Sequence, residues 1–383
     1  MKLQTFQFRA DTGWSIQTFP NLDSDKTLIF VFAAPEFIDH SEPLLELAKQ
    51  YPKSKIIGCS SAGEILGPSI SDNSISVAVV KFEKTPIRIS SESVHSTDDS
   101  YQAGKAIADD LNDDELRGIF VLSDGLQING SELVRGLNSI NRDNVIITGG
   151  LAGDGSRFKQ TWVIVNNEIV SGKIVAVGFY GDYVQIGHGS RGGWDIFGPE
   201  RRVTRAKNNI LYELDGEPAL ALYKKYLGEK AAGLPATGLL FPLAIRKDEN
   251  DKKQLVRTIL GINEKDQSLT FAGDIPVGYR AQLMRANFDR LITGANEAGK
   301  QLLANNYIRD HQSPTLLVAI SCVGRRLLLG ERTEEETESV LEYFSDNTQQ
   351  VGFYSYGELS PHTKGSCELH NQTMTLTTIS EEL

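Results

Sequence analysis

Four of the chain's Gly-acid pairs read as short turns of one kind: Ala62-Gly63-Glu64, Ala152-Gly153-Asp154, Ala272-Gly273-Asp274 and Tyr356-Gly357-Glu358. Glycine at a strand end permits backbone dihedrals closed to other residues, so peptide N–H groups turn outward beside a carboxylate. Such a turn can hold a polar small molecule. In three of the four the preceding order is shared, a strand, a helix, a strand and then the turn: IFVFAA leads to IIGCSSAGE, IFVLSDG to VIITGGLAGD, and LLVAISCVG to VGFYSYGE. Gly-acid pairs are common turn formers; the matching context is what points to a shared site. Ligands of open α/β sheets gather at the carboxyl ends of strands. The candidate ligand-binding residues are therefore Cys59, Ser60, Glu64, Gly150, Asp154, Arg325, Tyr354, Tyr356 and Glu358. The expectation is that they line one cavity between two related halves, with Arg325 facing the carboxylates.

Catalytic motifs are weighed and set aside. Gly58-Cys59-Ser60-Ser61-Ala62-Gly63 has the look of a nucleophile elbow, yet Gly67-Pro68 and the strand ISVAVV follow where the elbow needs a helix. The glycine-rich stretch 149–155 lacks the GxGxxG spacing and runs into TWVIV instead of a phosphate-cradling helix. No HExxH, Walker or Cys-x-x-Cys motif is present, and His362, Cys367 and His370 form the one compact set with metal-ligand chemistry, at odd spacing. No catalytic residue is assigned, and the chain is expected not to be an enzyme; a hydrolase or lyase is the last-ranked alternative.

The elements that must position these turns read as α/β, two related α/β halves with mixed sheets flanked by helices. Strands are predicted at 27–34, 55–59, 75–82, 87–94, 118–123, 145–148, near 160–166, 173–180 and 183–188, near 238–245, 254–262 and 268–272, and at 315–321, 351–355 and 367–379. Helices are predicted after Ser41, over 99–111, along Leu133 to Ile140, after Pro218, over about 280–305 through Met284, Phe288, Leu291, Ala295 and Leu302, and from a capping box at Thr333 and Glu336. The domain boundary is expected near 220, dividing the chain into 1–220 and 221–383.

At 383 residues the chain can bury a sizeable core, and 40% apolar residues exclude a disordered class. Lys and Arg number 39 against 50 Asp and Glu; the net charge of −11 repels nucleic acid and anionic membranes. The basic run Arg201, Arg202, Arg205 and Lys207 reads as a solvated strand edge. No apolar run reaches the about 18 residues of a membrane-spanning helix, the start MKLQTFQFRADTGW lacks a signal-peptide core, and three cysteines are too few for a disulfide framework. The expectation is a soluble, cytoplasmic protein without nucleic-acid or membrane partners.

Several stretches together resemble the FIST sensory domain, in its N- and C-terminal parts: GCSSAGEI at 58–65, GGLAGDG at 149–155, VTRAKNNILYELDGEPALALYKKYLG at 203–228, SCVGRRLLLG at 321–330, and GFYSYGEL with ELHNQTMTL within 352–376. The resemblance covers nearly the whole chain from about residue 25. It implies a ligand-sensing module of bacterial signal transduction. Some stand-alone members similar to this chain in length are nitric-oxide-sensing haemoproteins that regulate a separate histidine kinase or cyclic-di-GMP enzyme, so a partner protein is expected here too. Haem would be non-covalent, since a Cys-x-x-Cys-His signal is absent. It would need an axial imidazole, for which His188 and His370 are the candidate metal ligands, with Arg191 on a propionate and Trp194 against the porphyrin. The alternative is an amino-acid sensor, with Glu64, Asp154, Asp274 or Glu358 on the ammonium and Arg325 on the carboxylate.

Overall fold

The structure, a computed structural model, describes residues 1–140, 142, 144–251, 254–304, 313–362 and 366–382. Three β-α-β units, built alike, form its larger part. Thr27–Ala33, the helix Glu42–Gln50 and Lys55–Ser60 make the first, and Leu116–Ser123, Gly130–Leu137 and Ile146–Leu151 the second. Thr315–Cys322, the helices Val323–Leu329 and Thr333–Leu341, and Thr348–Ser355 make the third. Within each unit the two strands run parallel. A further strand, Ser74–Lys81, Lys173–Tyr180 or Met374–Glu381, lies antiparallel to the first.

The units interlock in a cycle. Past its second strand each chain segment crosses to a neighbouring sheet: Glu64–Leu66 pairs with Thr348–Ser355, Gly357–Pro361 with Ile146–Leu151, and Val163–Val165 with Lys55–Ser60. The resulting sheets have seven, six and six strands. The mixed α/β sheets flanked by helices anticipated from the sequence are present, and the repeat within them has three members. The strand Lys2–Arg9, not anticipated, extends the first sheet, and the Met1 ammonium meets Glu381 at 3.2 Å, both buried.

The first strands are near-continuous apolar runs because both of their faces are covered. Where the three sheets meet, Phe30 packs edge-on against Phe120 at 5.3 Å and Phe32 stacks on Phe353 at 4.8 Å, so each unit contributes aromatics to one core. Such pairs add about 0.5–1.5 kcal/mol each beyond area burial. Gly149 has φ +147°, and a Cβ there would stand 1.9 Å from the Val121 carbonyl oxygen; only glycine lets these parallel strands approach.

Residues 195–285 form a separate module between the core strand Val184–Arg191 and the core helix Phe288–Ala304. Its eight-stranded antiparallel sheet, with Asp195–Lys207 at the centre and the helix Ala219–Leu227 alongside, closes on a core of Val203, Leu211, Tyr223, Leu269, Phe271 and Leu283. The helix expected over 280–305 is split: Arg280–Arg285 is a strand, with Met284 opposite Ile196, and Phe288–Ala304 is the helix. Ala281 and Leu283 are buried at alternate positions, a period of two that the four-residue spacing of Met284 and Phe288 masked. The expected capping box is also absent, since Glu336 points inward to Arg325.

Candidate ligand-binding site

Three of the four Gly-acid turns meet at the carboxyl ends of the parallel strands. The Ala62 N–H donates to the Tyr354 carbonyl at 2.8 Å and the Tyr354 N–H to that of Gly63 at 2.9 Å; Gly153 N–H reaches Ser60 at 3.0 Å, and Tyr356 N–H reaches Leu151 at 3.2 Å. Residues nearly 300 positions apart thus share one knot of backbone.

The carboxylates, however, are engaged within it. Glu64 accepts from Ser74 Oγ at 2.9 Å and its N–H at 3.2 Å. Glu358 accepts from Ser355 Oγ at 2.7 Å and Thr373 Oγ1 at 2.9 Å. Both are wholly buried, and burial pushes each up to about 8 against these hydrogen bonds. Asp154 behaves oppositely. Burial acts to raise it, but the N–H groups of Gln160, Lys159 and Phe158 at 2.8–2.9 Å and the Tyr356 hydroxyl hold it below the usual carboxylate range. The acids therefore fix their own turns and do not face a ligand, contrary to the expectation for an ammonium site.

Arg325 is buried too, and does not face them. Its guanidinium lies 3.2 Å from Glu336 and donates to the carbonyls of Leu291 at 2.7 Å, Gln372 at 3.3 Å and Gly192. Cys59 is sealed inside the first sheet, its thiol pushed well up by burial and by Glu64. Ser60 Oγ accepts from Trp162 N–H at 3.1 Å, Gly150 sits in the sheet opposite Glu358, and Tyr354 is buried under the Arg326 guanidinium.

A cavity of about 330 Å³ opens between the strand ends and the module. The core supplies Leu126, Ile128, Leu151, Cys322, Val323 and Tyr356, on which Phe158 stacks at 4.6 Å. The module supplies Asn208, Asn209, Leu239, Thr258, Leu260, Phe271 and Gly273, the last from the fourth Gly-acid turn. Of the segments expected to line it, 59–64, 150–154, 321–325 and 354–358, the cavity takes Leu151, Cys322, Val323 and Tyr356, and of the individually named candidates Tyr356 alone. Asp274 turns away to accept from Asn129 Nδ2 at 3.0 Å, and Arg257 ties the same turn to the core through the Asp274 and Leu369 carbonyls at 3.1 Å. Apart from Ala272 and Gly273 of the fourth Gly-acid turn, the module's lining residues escaped sequence reasoning. The one available signal was Asn208-Asn209 between two strands, where Asn208 has φ +51°. A shallower cleft of about 450 Å³ lies beyond the knot, where Arg326 clamps Asp72 through two contacts of 2.8 Å.

The two histidines expected to ligate haem do not line the cavities described above. His188, in Val184–Arg191, and His370, in Cys367–His370, lie on different sheets, both buried, and neither lines either cavity. Burial lowers His188 to about 4, and His370 Nε2 is 2.9 Å from the Ser360 carbonyl. Arg191 lies opposite Met374, and Trp194 donates to the Gln372 carbonyl at 2.9 Å. Among the described residues no three His, Cys, Asp or Glu side chains are grouped to hold a metal ion. None of the described helices is long and apolar enough to cross a membrane.

Comparison with known proteins adds identity to this geometry. An uncharacterised protein of Methanocaldococcus jannaschii is 25% identical over 389 residues, 88% of this chain and 70% of that protein. A crystal structure of a cyanuric acid hydrolase from A. caulinodans aligns over 78% of this chain and all of its own at 11% identity, with a TM-score of 0.20, too low to bear on fold or reaction. The FIST N domain matches residues 27–217 and the FIST C domain residues 219–361, and the sheets draw strands from both. The chain belongs to the FIST family, whose domains are sensory domains of signal transduction.

Proposed function

We propose that this chain is a cytoplasmic sensory protein without turnover of its own, which takes a small molecule into the junction cavity and signals through a separate partner, such as a histidine kinase or a cyclic-di-GMP enzyme. The observation that carries this reading is the placement of the cavity, walled on one side by core strand ends and on the other by a module whose chain connections to the core run through residues 192–194 and 286–287. A ligand touching both walls favours the state in which they are close, and this differential affinity is what a sensor converts into a signal. Against catalysis stands the burial of all three cysteines, whose thiols it pushes up, away from the thiolate a nucleophile requires.

Native mass spectrometry of the gently purified chain tests the reading. Leu260 is half-exposed on the cavity rim, so Leu260→Trp should fold and fill the cavity. A small molecule that co-purifies with the parent chain and is lost from the variant is the expected result; one retained in full by the variant would place the site elsewhere.

A further inference from the structure

The cavity's lining narrows the class of ligand. It mixes apolar walls, Leu151, Leu239, Leu260 and Val323, with the stacked aromatic pair of Phe158 and Tyr356. Its charged members are Asp98 and Glu132, both acids, and among the described lining residues there is no lysine, arginine or histidine. Glu132 is ion-paired to Arg135, which leans away over the Tyr101 ring; Asp98 is exposed at the cavity mouth. The guanidinium of Arg257 packs behind Gly273, held by the carbonyls of Val256, Asp274 and Leu369.

One polar atom lacks a partner here. Thr258, only 3% exposed, lines the cavity, and its Oγ1 makes no hydrogen bond. A buried hydroxyl without a partner is destabilising by about 1–3 kcal/mol, so its presence on a cavity wall points to a ligand that supplies the bond. Asn209 directs Nδ2 to the Phe271 carbonyl at 2.8 Å, and its amide oxygen accepts no described hydrogen bond. A hydroxyl and an amide oxygen accept readily from an ammonium group, and aromatic faces attract one. An anion entering the same space would meet two acids and no cationic side chain among the described lining residues, the Arg257 guanidinium lying behind Gly273, and desolvation makes it more unfavourable still.

Resting on the reading of this cavity as the sensory site, we propose that its ligand is a small organic amine, cationic at neutral pH, with an apolar or aromatic body and no carboxylate. The ammonium is received by Thr258 and Asn209 under the field of Asp98 and Glu132, while the body lies along Leu260, Val323 and Tyr356. At about 330 Å³ the space is at the small end of ligand pockets. An amino acid is disfavoured on the same ground as any anion, since nothing in the lining neutralises its carboxylate.

Calorimetric titration of the full chain with phenethylamine, phenylacetamide and phenylacetate, one scaffold in three charge states, tests this. Phenethylamine should bind at least tenfold more tightly than phenylacetate. Asp98→Asn with Glu132→Gln should erase most of that ratio, and Thr258→Val should weaken the amine several-fold. Binding of phenylacetate or phenylacetamide in preference to the amine, abolished by Leu260→Trp, would overturn the ligand class and leave the cavity standing as the site. Binding of the amine that Leu260→Trp does not alter would overturn both. No detectable binding of the amine at millimolar concentration would overturn the ligand class.

Discussion

The Arg325 guanidinium and the Glu336 carboxylate lie 3.2 Å apart with both side chains wholly buried, and together they fasten the core to the points where the chain leaves for the module and returns. Gly192 is at the exit, and Leu291 lies in the first turn after the return. Ser321 Oγ adds a third group, 2.6 Å from Glu336.

Removing one partner of this pair leaves a charge stranded in the core. Arg325→Met is expected to destabilise the protein by about 3–5 kcal/mol, measured by urea unfolding. The double variant Arg325→Met with Glu336→Leu should recover a substantial part of the loss. Equal stability of parent and Arg325→Met would show the ion pair to be dispensable.

Glu64 and Glu358, raised to about 8 from 4.5, make stability depend on pH in a defined direction. Between these values the folded chain binds more protons than the unfolded one, so their contribution is complete below about 4.5 and is lost as pH rises through 8. Each group supplies a slope of about 1.4 kcal/mol per pH unit across that window. Denaturant titrations at pH 5, 6.5 and 8 should show stability falling, and Glu358→Gln should remove one group's share of the slope. An unchanged slope would mean that Glu358 is ionised in the folded protein.

Asp154, held low, contributes with the opposite sign, so its stabilisation is present above the usual carboxylate range and lost in acid. Tyr356→Phe removes one of the four donors that stabilise its charge. We expect stability at pH 6.5 to fall and the loss to shrink in acid as Asp154 protonates, with the acid midpoint of unfolding moving upward by a few tenths of a pH unit or more. A midpoint that stays in place would assign the low value to the backbone donors alone.

Gly149→Ala is expected to abolish soluble folding, because its Cβ would overlap the Val121 carbonyl at a φ that L residues rarely adopt. Gly155→Ala, at φ +73° with open space around it, should cost only about 1–2 kcal/mol. The contrast is read from soluble yield and thermal midpoints.

Reconstitution with haem should give no stoichiometric Soret band, because His188 and His370 are buried and neither lines the two cavities described above. A band that appears and is lost in His188→Ala or His370→Ala would mean that the sheets open to admit it.

What the sequence determined by itself was local. Apolar runs such as TLIFVFA marked the buried strands, and the recurrence of strand, helix, strand and Gly-acid turn revealed that the turns at 63, 153 and 357 belong together. Those signals survive in one dimension because burial on both faces and backbone conformation are dictated within a few residues. The partners of the side chains were decided only by tertiary structure. Glu64 and Glu358 read as ligand groups until Ser74 and Thr373 were seen to engage them, and Arg325 read as a ligand cation until Glu336 and three carbonyls enclosed it. The cyclic exchange of strands among three sheets was equally hidden, since pairing of Glu64–Leu66 with Thr348–Ser355 depends on groups almost 300 residues apart. The cavity itself is made by Thr258 and Leu260 meeting Val323 and Tyr356. Each is an unremarkable residue in its own segment, and the site exists only because a module inserted between two core elements folds back over the strand ends.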